Sequence, residues 1–312
     1  MGGDLFRNRE CTPESSSRKA ARLEQKSADG LLGTVHAVRD SSRTLTFLLY
    51  VISSVPATRT SLYADIARIG VARGDVLMVH ASVRAVGAVT GGVNVIVQSL
   101  LDAIGPAGTL VAYVDFEPAC PDGEEVEIPV FDKRIARAAR DHGVLHETIR
   151  TWPGALRSDH PDAGVVAIGA LAEWIVADHP FQYGYGEGSP FDKILQARGR
   201  VLMLGAPLDT ITLLHYAEHK ARIPDKRIRR YRRLMPGVNG PEWVQFEEFD
   251  TAEPVHDRLP SNCFEMIAAD YLANGRGSRG AIGAASSVLF DGRDLVQFGI
   301  EWLERFVNVG PA

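Results

Sequence analysis

His215, Glu218 and His219 form the pattern H-x-x-E-H, in which two histidines lie four residues apart. On a helix this spacing puts both imidazoles on one face, where they can bind one metal ion while the glutamate activates water. The pattern is that of the inverted zinc peptidases, so a zinc hydrolase is one hypothesis. Only three of its five positions are fixed, so the pattern can occur by chance. The alternative is a helix in which one histidine is functional and the other two residues are solvated.

A second place where chemistry could occur is the end of the apolar run Asp75–His80, which is typical of a strand buried on both faces. The run opens into the short segment Ala81–Arg84. Sheets of α/β proteins bind ligands at such strand ends, where backbone N–H groups and the Ser82 hydroxyl could hold a pyrophosphate. An ordinary strand-to-loop exit is the alternative.

Acidic residues cluster after two predicted strands, Gly108–Val114 and Glu242–Phe249. If both clusters border one cleft, they would form a site for a polycation, and otherwise they are solvated. The first cluster consists of Asp115, Glu117, Asp122, Glu124, Glu125 and Glu127, and the second of Glu247, Glu248, Asp250 and Glu253.

Two further motifs give only weak signals for nucleotide chemistry. Lys226–Arg233 holds six basic residues in eight, around Tyr231, which could suggest nucleic acid. Residues 60–312, however, hold 25 basic and 33 acidic residues, and this net charge of −8 disfavours nucleic acid and favours a cationic substrate. We therefore predict a solvated face for the basic segment. The glycine-rich segment Gly184–Pro190 matches no phosphate-binding fingerprint and is predicted to be a loop.

The elements that position these residues are predicted to alternate between strands and helices, which indicates an α/β layered fold. We expect a three-layer α/β/α sandwich in a single domain of residues 60–312. Asp209 is expected to cap a helix from Thr210 to Arg222. Further strands are predicted at Gly164–Gly169 and Arg200–Gly205, and further helices at Asn94–Ile104, Cys263–Ala273 and Asp294–Phe306.

Residues 1–59 are predicted to be an irregular N-terminal arm, largely disordered or peripheral to that domain. Thr12–Lys26 has almost nothing to bury, and the apolar run Leu45–Val55 is too short to span a bilayer. No secretory signal is recognised. The cytoplasm is the expected compartment, because the chain has no C-x-x-C pair and only three distant cysteines, Cys11, Cys120 and Cys263.

Several segments, in order and at their spacings, resemble the aminoglycoside 3-N-acetyltransferases of the antibiotic N-acetyltransferase type, which is distinct from the smaller GCN5-related fold. The resemblance runs from about Ser61 to Phe306 and leaves only the N-terminal arm uncovered. The matching segments are Leu77–Gly87, Gly105–Leu110, Arg150–Pro153, Arg157–Pro161, Gly188–Pro190, Val201–His215 and Ala217–Glu218.

This resemblance implies transfer of acetyl from acetyl-CoA to the 3-amino group of the 2-deoxystreptamine ring of aminoglycoside antibiotics, which gives resistance. The loop after the first strand and the turn after Val201–Leu204 would line the CoA channel. Two threonines would lie near the thioester, where one of them or a backbone N–H could stabilise the oxyanion. The cofactor-binding residues would be Ala81, Ser82, Val83, Arg84, Gly205, Ala206, Thr210 and Thr212.

The resemblance also makes His215 the catalytic base. Acetylation needs an unprotonated amine, and a histidine steadied by a carboxylate can take the departing proton. Asp250 and Glu247 would orient this histidine or hold the ammonium groups of the substrate, and the transfer would be direct, without a cysteine nucleophile. The substrate side would be formed by Asp115, Glu117, His160 and Glu248, with a structural role as the alternative for His160.

Two alternatives stay open on the sequence. An acetyltransferase of the same fold could act on a different amine, and a zinc hydrolase would use His215, Glu218 and His219. No metal cofactor is expected, because the resemblance explains His215 without one. The expected partner is a small cationic aminoglycoside rather than nucleic acid or a membrane, and a homodimer is possible.

Overall fold

A seven-stranded mixed sheet is the centre of the computed structural model, which describes residues 55–116 and 129–309. The strands are β1 (Val76–Ala81), β2 (Thr109–Tyr113), β3 (Leu156–Arg157), β4 (Val165–Gly169), β5 (Arg200–Leu204), β6 (Ile228–Gly237), β7 (Gly240–Phe249), β8 (Ser278–Ile282) and β9 (Ala285–Asp291). The order in the sheet is β3-β4-β2-β1-β5-β9-β8, and β6 and β7 form a separate hairpin. β1 pairs in parallel with β2 and β5, whereas the outer pairs are antiparallel.

Some of the helices begin at residues whose side chains cap them. The Thr58 hydroxyl accepts a hydrogen bond from the Ser61 N–H at the start of the first helix, and Ser189 precedes a helix whose first residue is Pro190. The helices are α1 (Arg59–Ile69), α2 (Val83–Val86), α3 (Val93–Ile104), α4 (Gly143–Arg150), α5 (Ala172–Val176), α6 (Pro190–Gln196), α7 (Leu214–Lys220), α8 (Cys263–Ala273) and α9 (Gly292–Val309).

Helices cover both faces of the sheet, because its central strands are apolar on both sides. In β1, Val76 and Met78 pack into one core, and Leu77 and Val79 pack into the other. The first core contains side chains of α5 to α9, and the second contains side chains of α1, α3 and α4. This arrangement confirms the predicted three-layer α/β/α sandwich.

The predicted elements agree with the observed ones except ahead of α7. The helix expected from Thr210, capped by Asp209, is wrong: Leu208–Thr210 is a short 3₁₀ turn, and α7 begins at Leu214 without a side-chain cap. Ile211 separates the two with a non-helical ψ of 86° and is fully buried. Burial of this apolar side chain in the core therefore overrides the local helical pattern.

The β6–β7 hairpin contains all but the first two residues of the basic segment that the sequence analysis assigned to a solvated face. Most of its residues are exposed or half-buried. Arg230 lies opposite Glu247 in the strand register and forms an ion pair with it, and Arg233 pairs with Asp162. The segment is thus a largely exposed strand whose positive charges are partly neutralised by neighbouring carboxylates.

No helix in the described ranges is long and apolar enough to cross a membrane. Residues 1–54, 117–128 and 310–312 lie outside the described residues. Residues 1–54 of the predicted arm and most of the first acidic cluster, Glu117 included, fall there. The boundary after residue 59 stays a prediction, although α1 begins beside it at Arg59.

Candidate active site

The carboxyl ends of β1 and β5 lie side by side and bring two predicted cofactor segments together. Ala81 forms a bridge with Gly205, and the Ser82 N–H donates to the Leu204 carbonyl at 2.9 Å. Gly205 has a φ of 65°, and a Cβ at this position would lie 2.7 Å from the Cβ of Ala85. The close approach leaves no room for a Cβ, and the positive φ favours glycine, so β5 can turn directly against α2.

The other residues of the first cofactor segment surround the start of α2. Ser82 is the N-cap residue, and its hydroxyl oxygen accepts the Ala85 N–H at 3.4 Å. This bond does not use the hydroxyl proton, which can still be donated to a ligand. Val83 and Ala206 are half-buried, whereas Arg84 is exposed.

The two predicted threonines differ in position. Thr210 is exposed on the 3₁₀ turn, and its hydroxyl donates to the Pro207 carbonyl at 2.7 Å. Thr212 is buried, and its hydroxyl lies 3.5 Å from the Thr210 carbonyl. Its carbonyl accepts the His215 N–H at 3.0 Å. Thr212 therefore lies at the entry to α7, beside the predicted base.

His215 is bonded to a carboxylate of its own helix. Its Nδ1 lies 2.7 Å from Oε2 of Glu218, and Glu218 is only 3% exposed. The imidazole contacts the rings of Tyr185 and Phe264, with centroids 4.8 and 4.9 Å away. Within the described ranges no hydrogen bond is formed at Nε2, so this nitrogen can accept a proton from a substrate while Glu218 stabilises the imidazolium.

His219 belongs to a different pair. Its Nε2 lies 2.8 Å from Oε1 of Glu248, which is 4% exposed. The same oxygen accepts the Phe249 N–H at 2.7 Å, and Oε2 accepts the Tyr185 N–H at 3.3 Å. Glu248, predicted to bind substrate, is therefore enclosed and bonded to protein groups.

The H-x-x-E-H pattern does not assemble a metal site in the part of the chain that the structure describes. A site would require ligand atoms of His215, Glu218 and His219 to converge, and these three do not form such a group. The two imidazoles are bonded to separate carboxylates instead. This arrangement favours the alternative interpretation of the motif, in which the helix binds no zinc ion.

Glu247 and Asp250, the carboxylates predicted to orient the base, contact other groups. Glu247 accepts hydrogen bonds from the Tyr183 hydroxyl and the Arg230 guanidinium, each at 2.5 Å, and both donors lower its pKa. Asp250 accepts the backbone N–H two residues later at 3.0 Å. The carboxylate hydrogen-bonded to the predicted base is Glu218, because the helical spacing brings it within reach.

Asp115 follows β2, and one of its carboxylate oxygens contacts Nε2 of His142. With Asp141, these residues form a group of potential ligand atoms within 4.8 Å of one another. The His142 ring packs edge-on against Tyr113 at 4.9 Å, and the Tyr113 hydroxyl lies 2.7 Å from that of Tyr185. These contacts connect Asp115 to the aromatic side chain that lies beside the predicted base.

His160, the remaining substrate-side prediction, is buried. Its Nδ1 accepts the N–H groups of Ala163 at 2.8 Å and Asp162 at 3.1 Å. Burial lowers its pKa to about 3, so the imidazole is neutral at pH 7. These contacts indicate support for the turn before β4 rather than contact with a charged substrate.

The sequence analysis did not identify Glu218 as the partner of His215, and it assigned no role in the site to Tyr183 or Tyr185. The i, i+3 spacing of His215 and Glu218 is a signal that could identify the pair on a helix. Tyr185 lies in the segment Gly184–Pro190, which was predicted only as a loop, and Tyr183 directly precedes it. The glycines permit close packing: a Cβ at Gly186 would lie 2.7 Å from Nδ1 of His219.

Comparison with known proteins agrees with the resemblance seen in the sequence. A model of the family described as aminoglycoside 3-N-acetyltransferase matches residues 78–304. Aminoglycoside N(3)-acetyltransferase III of Pseudomonas aeruginosa is 44% identical over 261 residues, which cover 80% of this chain and 95% of the relative. Aminoglycoside N(3)-acetyltransferase VIII of Streptomyces fradiae is 39% identical over 264 residues, covering 80% and 92%.

Solved structures give the same result for the fold. AAC-IIIb in its binary complex with CoASH matches with a TM-score of 0.78 and 48% identity, covering 83% of this chain and 100% of that one. AAC-VIa bound to sisomicin matches with a TM-score of 0.76 and 37% identity, covering 82% and 100%. The chain therefore belongs to the aminoglycoside 3-N-acetyltransferase family and is an acetyltransferase.

Proposed function

We propose that this protein transfers acetyl from acetyl-CoA directly to the 3-amino group of a 2-deoxystreptamine aminoglycoside, with His215 as the general base, and so confers resistance. The observation that carries the proposal is the bond between Nδ1 of His215 and the buried Glu218, which leaves Nε2 for the substrate. The relatives described above are named for acetyl transfer to the same position.

In the proposed reaction the neutral 3-amine attacks the carbonyl carbon of the thioester and forms the C–N bond. Its proton passes to Nε2 of His215, and Glu218 stabilises the imidazolium. The C–S bond then breaks, and the proton moves from His215 to the thiolate sulfur. The products are the N-acetylated drug and the CoA thiol, and the histidine is neutral again.

Cys263 supports direct transfer, because it is unsuited to carry an acetyl group. It is the one cysteine within the described ranges. Burial and the negative charge of Glu218 raise its pKa to about 12. The thiol therefore stays protonated at neutral pH, and a protonated thiol is a poor nucleophile.

For the cofactor we propose the junction of β1 and β5. The Ser82 hydroxyl and the exposed Arg84 are suited to the phosphates of CoA, because both can donate hydrogen bonds to anionic oxygens. The turn at Gly205 and Ala206 would lie along the pantetheine, and Thr210 near its end. Thr212, at the entry to α7, is the proposed donor to the thioester oxyanion.

For the cationic drug we propose Asp115 and Glu247. Their side chains are 30% and 28% exposed, so an ammonium group can reach a carboxylate oxygen in each. Asp250 is a further candidate at the end of β7. His160 and Glu248 are buried and bonded to protein groups, which favours a supporting role for both.

The test follows thiol release from acetyl-CoA with a chromogenic disulfide, in the presence of a 2-deoxystreptamine drug that has a free 3-amino group. We expect drug-dependent release by the wild-type enzyme. His215→Asn should lower kcat by roughly 10²–10⁴-fold, the usual contribution of a general base. His256→Asn, on the loop after β7, is the matched control and should release thiol at about the wild-type rate.

Near-normal turnover by His215→Asn would contradict the assignment of the base. A second outcome tests the substrate. The purified protein could bind acetyl-CoA in calorimetry but release no thiol with several such drugs. That result would favour an acetyltransferase of the same fold that acts on another amine, and a panel of amine acceptors would then identify it.

A further inference from the structure

His219 and Glu248 are ionisable and unused in the proposed transfer, and Glu248 is buried whereas His219 is half-buried. Their side chains are 9% and 6% exposed, and the 2.8 Å bond between them joins α7 to the end of β7. A buried carboxylate is costly unless its oxygens are hydrogen-bonded. Here the donors are His219 and the N–H groups of Phe249 and Tyr185.

The bond to Tyr185 connects this pair to His215. The Tyr185 N–H donates to Oε2 of Glu248 at 3.3 Å, and the Tyr185 ring lies 4.8 Å from the imidazole of His215. The far end of this side chain is also held, because its hydroxyl bonds to the Tyr113 hydroxyl at 2.7 Å and the Asp162 carbonyl at 3.1 Å. Tyr185 is thus fixed at both ends beside His215.

His219 is itself closely packed. A Cβ at Gly186 would lie 2.7 Å from its Nδ1, and the ring of Phe249 lies 4.6 Å from its own. Its carbonyl accepts a hydrogen bond from Nζ of Lys226 at 3.1 Å. These contacts leave the imidazole little freedom to turn away from Glu248.

We propose that His219 and Glu248 form a positioning pair that holds Tyr185 against His215 and so fixes the orientation of the base during acetyl transfer. The inference rests on the proposed role of His215. The pair acts through Tyr185 and does not contact the reacting atoms. Misplacement of a base affects the transition state more than ground-state binding, so kcat should depend on the pair more than KM does.

The test compares His219→Gln with His219→Leu, using acetyl-CoA and an aminoglycoside with a free 3-amino group. Glutamine keeps an N–H donor for Glu248, whereas leucine does not. His219→Leu should lower kcat roughly 10-fold with both KM values nearly unchanged, and His219→Gln should recover most of the loss. Gly186→Ala, which displaces the imidazole without removing it, should also lower kcat and serves if His219→Leu does not fold.

A double-variant cycle with His215→Asn separates this inference from the proposed base. If the pair acts through His215, His219→Leu should have almost no further effect in the His215→Asn background. An equal loss of kcat from His219→Leu in both backgrounds would overturn the positioning role. Unchanged kcat for both His219→Leu and Gly186→Ala would also overturn it, as would equal losses of kcat for His219→Leu and His219→Gln. Wild-type kcat for His215→Asn alone would instead overturn the base itself.

Discussion

Helix α7 carries two histidines that are each bonded to a glutamate, and the surroundings of the two pairs differ. His215 and Glu218 lie three residues apart on one helix, and 18% of the His215 side chain is exposed. His219 and Glu248 lie on different elements, and both side chains are nearly enclosed. The helix alone brings the first pair together, whereas the second forms only when the hairpin packs against α7.

The comparison shows that a bond to a carboxylate does not by itself make a histidine a base. A general base must also present a nitrogen to the substrate. Within the described residues Nε2 of His215 forms no hydrogen bond, as its proposed role requires, whereas Nε2 of His219 is bonded to Glu248 and its Nδ1 packs against Gly186. The two pairs should therefore respond differently to substitution.

The largest loss of activity is expected when the carboxylate of the first pair, Glu218, is replaced. Glu218→Gln keeps the side-chain volume but removes the charge that stabilises the imidazolium, so kcat should fall about 10²-fold. Thiol release under saturating substrates measures this loss. Glu301→Gln, on the exposed side of α9, is the matched control. A Glu218→Gln enzyme as fast as this control would remove Glu218 from the mechanism.

An intermediate effect, on the pH dependence of the free energy of unfolding, is expected for His160 and His179, which are bonded to neutral groups instead of carboxylates. Burial lowers the pKa of His160 and His179 to about 3. In the unfolded chain both titrate near pH 6.5, so between about pH 6.5 and 3 the unfolded state binds protons that the folded state does not. The free energy of unfolding should therefore fall as the pH decreases through this window, by roughly 1.4 kcal/mol per pH unit for each histidine.

Urea unfolding of wild type and His160→Asn between pH 7 and pH 5 measures this dependence. Asparagine offers an acceptor near the position of Nδ1 for the N–H groups of Asp162 and Ala163. The variant should lose the share of the slope that one histidine contributes. An identical slope for the two proteins would contradict the neutral, buried state of His160.

The smallest effect is expected from removal of metal ions. His215 and His219 are bonded to separate carboxylates, so a chelator should leave the rate of thiol release unchanged. Loss of activity with the chelator and recovery with Zn²⁺ would contradict this expectation and favour the hydrolase hypothesis of the H-x-x-E-H pattern. Metal analysis of the purified protein gives an independent measurement.

Local patterns predicted the layered fold class, the central strands of the sheet and several of the helices. The apolar runs at β1 and β5 are buried on both faces, and α8 has the predicted bounds, because each pattern agrees with the packing around it. The prediction failed at Thr210–Leu213, where burial of Ile211 outweighs the helical spacing. No strand was predicted at β3, β8 or β9. The prediction also missed β6, because alternating burial is weak in a strand of arginines that lies mostly at the surface.

The site could be predicted only where neighbours in sequence are neighbours in space. The spacing of His215 and Glu218 on one helix is such a case. The contacts of Glu248 with His219 and Tyr185 join residues 29 to 63 positions apart, and no local pattern encodes them.

The sequence by itself determined the family, the layered architecture and the proposed base, since these depend on ordered motifs and on repeating apolar positions. The tertiary structure decided which carboxylate each histidine contacts. It also decided which carboxylates remain partly exposed, as with Asp115 and Glu247, and which side chains are enclosed, as with His160 and Glu248. The physical reason is that exposure and hydrogen bonding depend on the packing of a separate hairpin and loop against α7, which a one-dimensional pattern does not record.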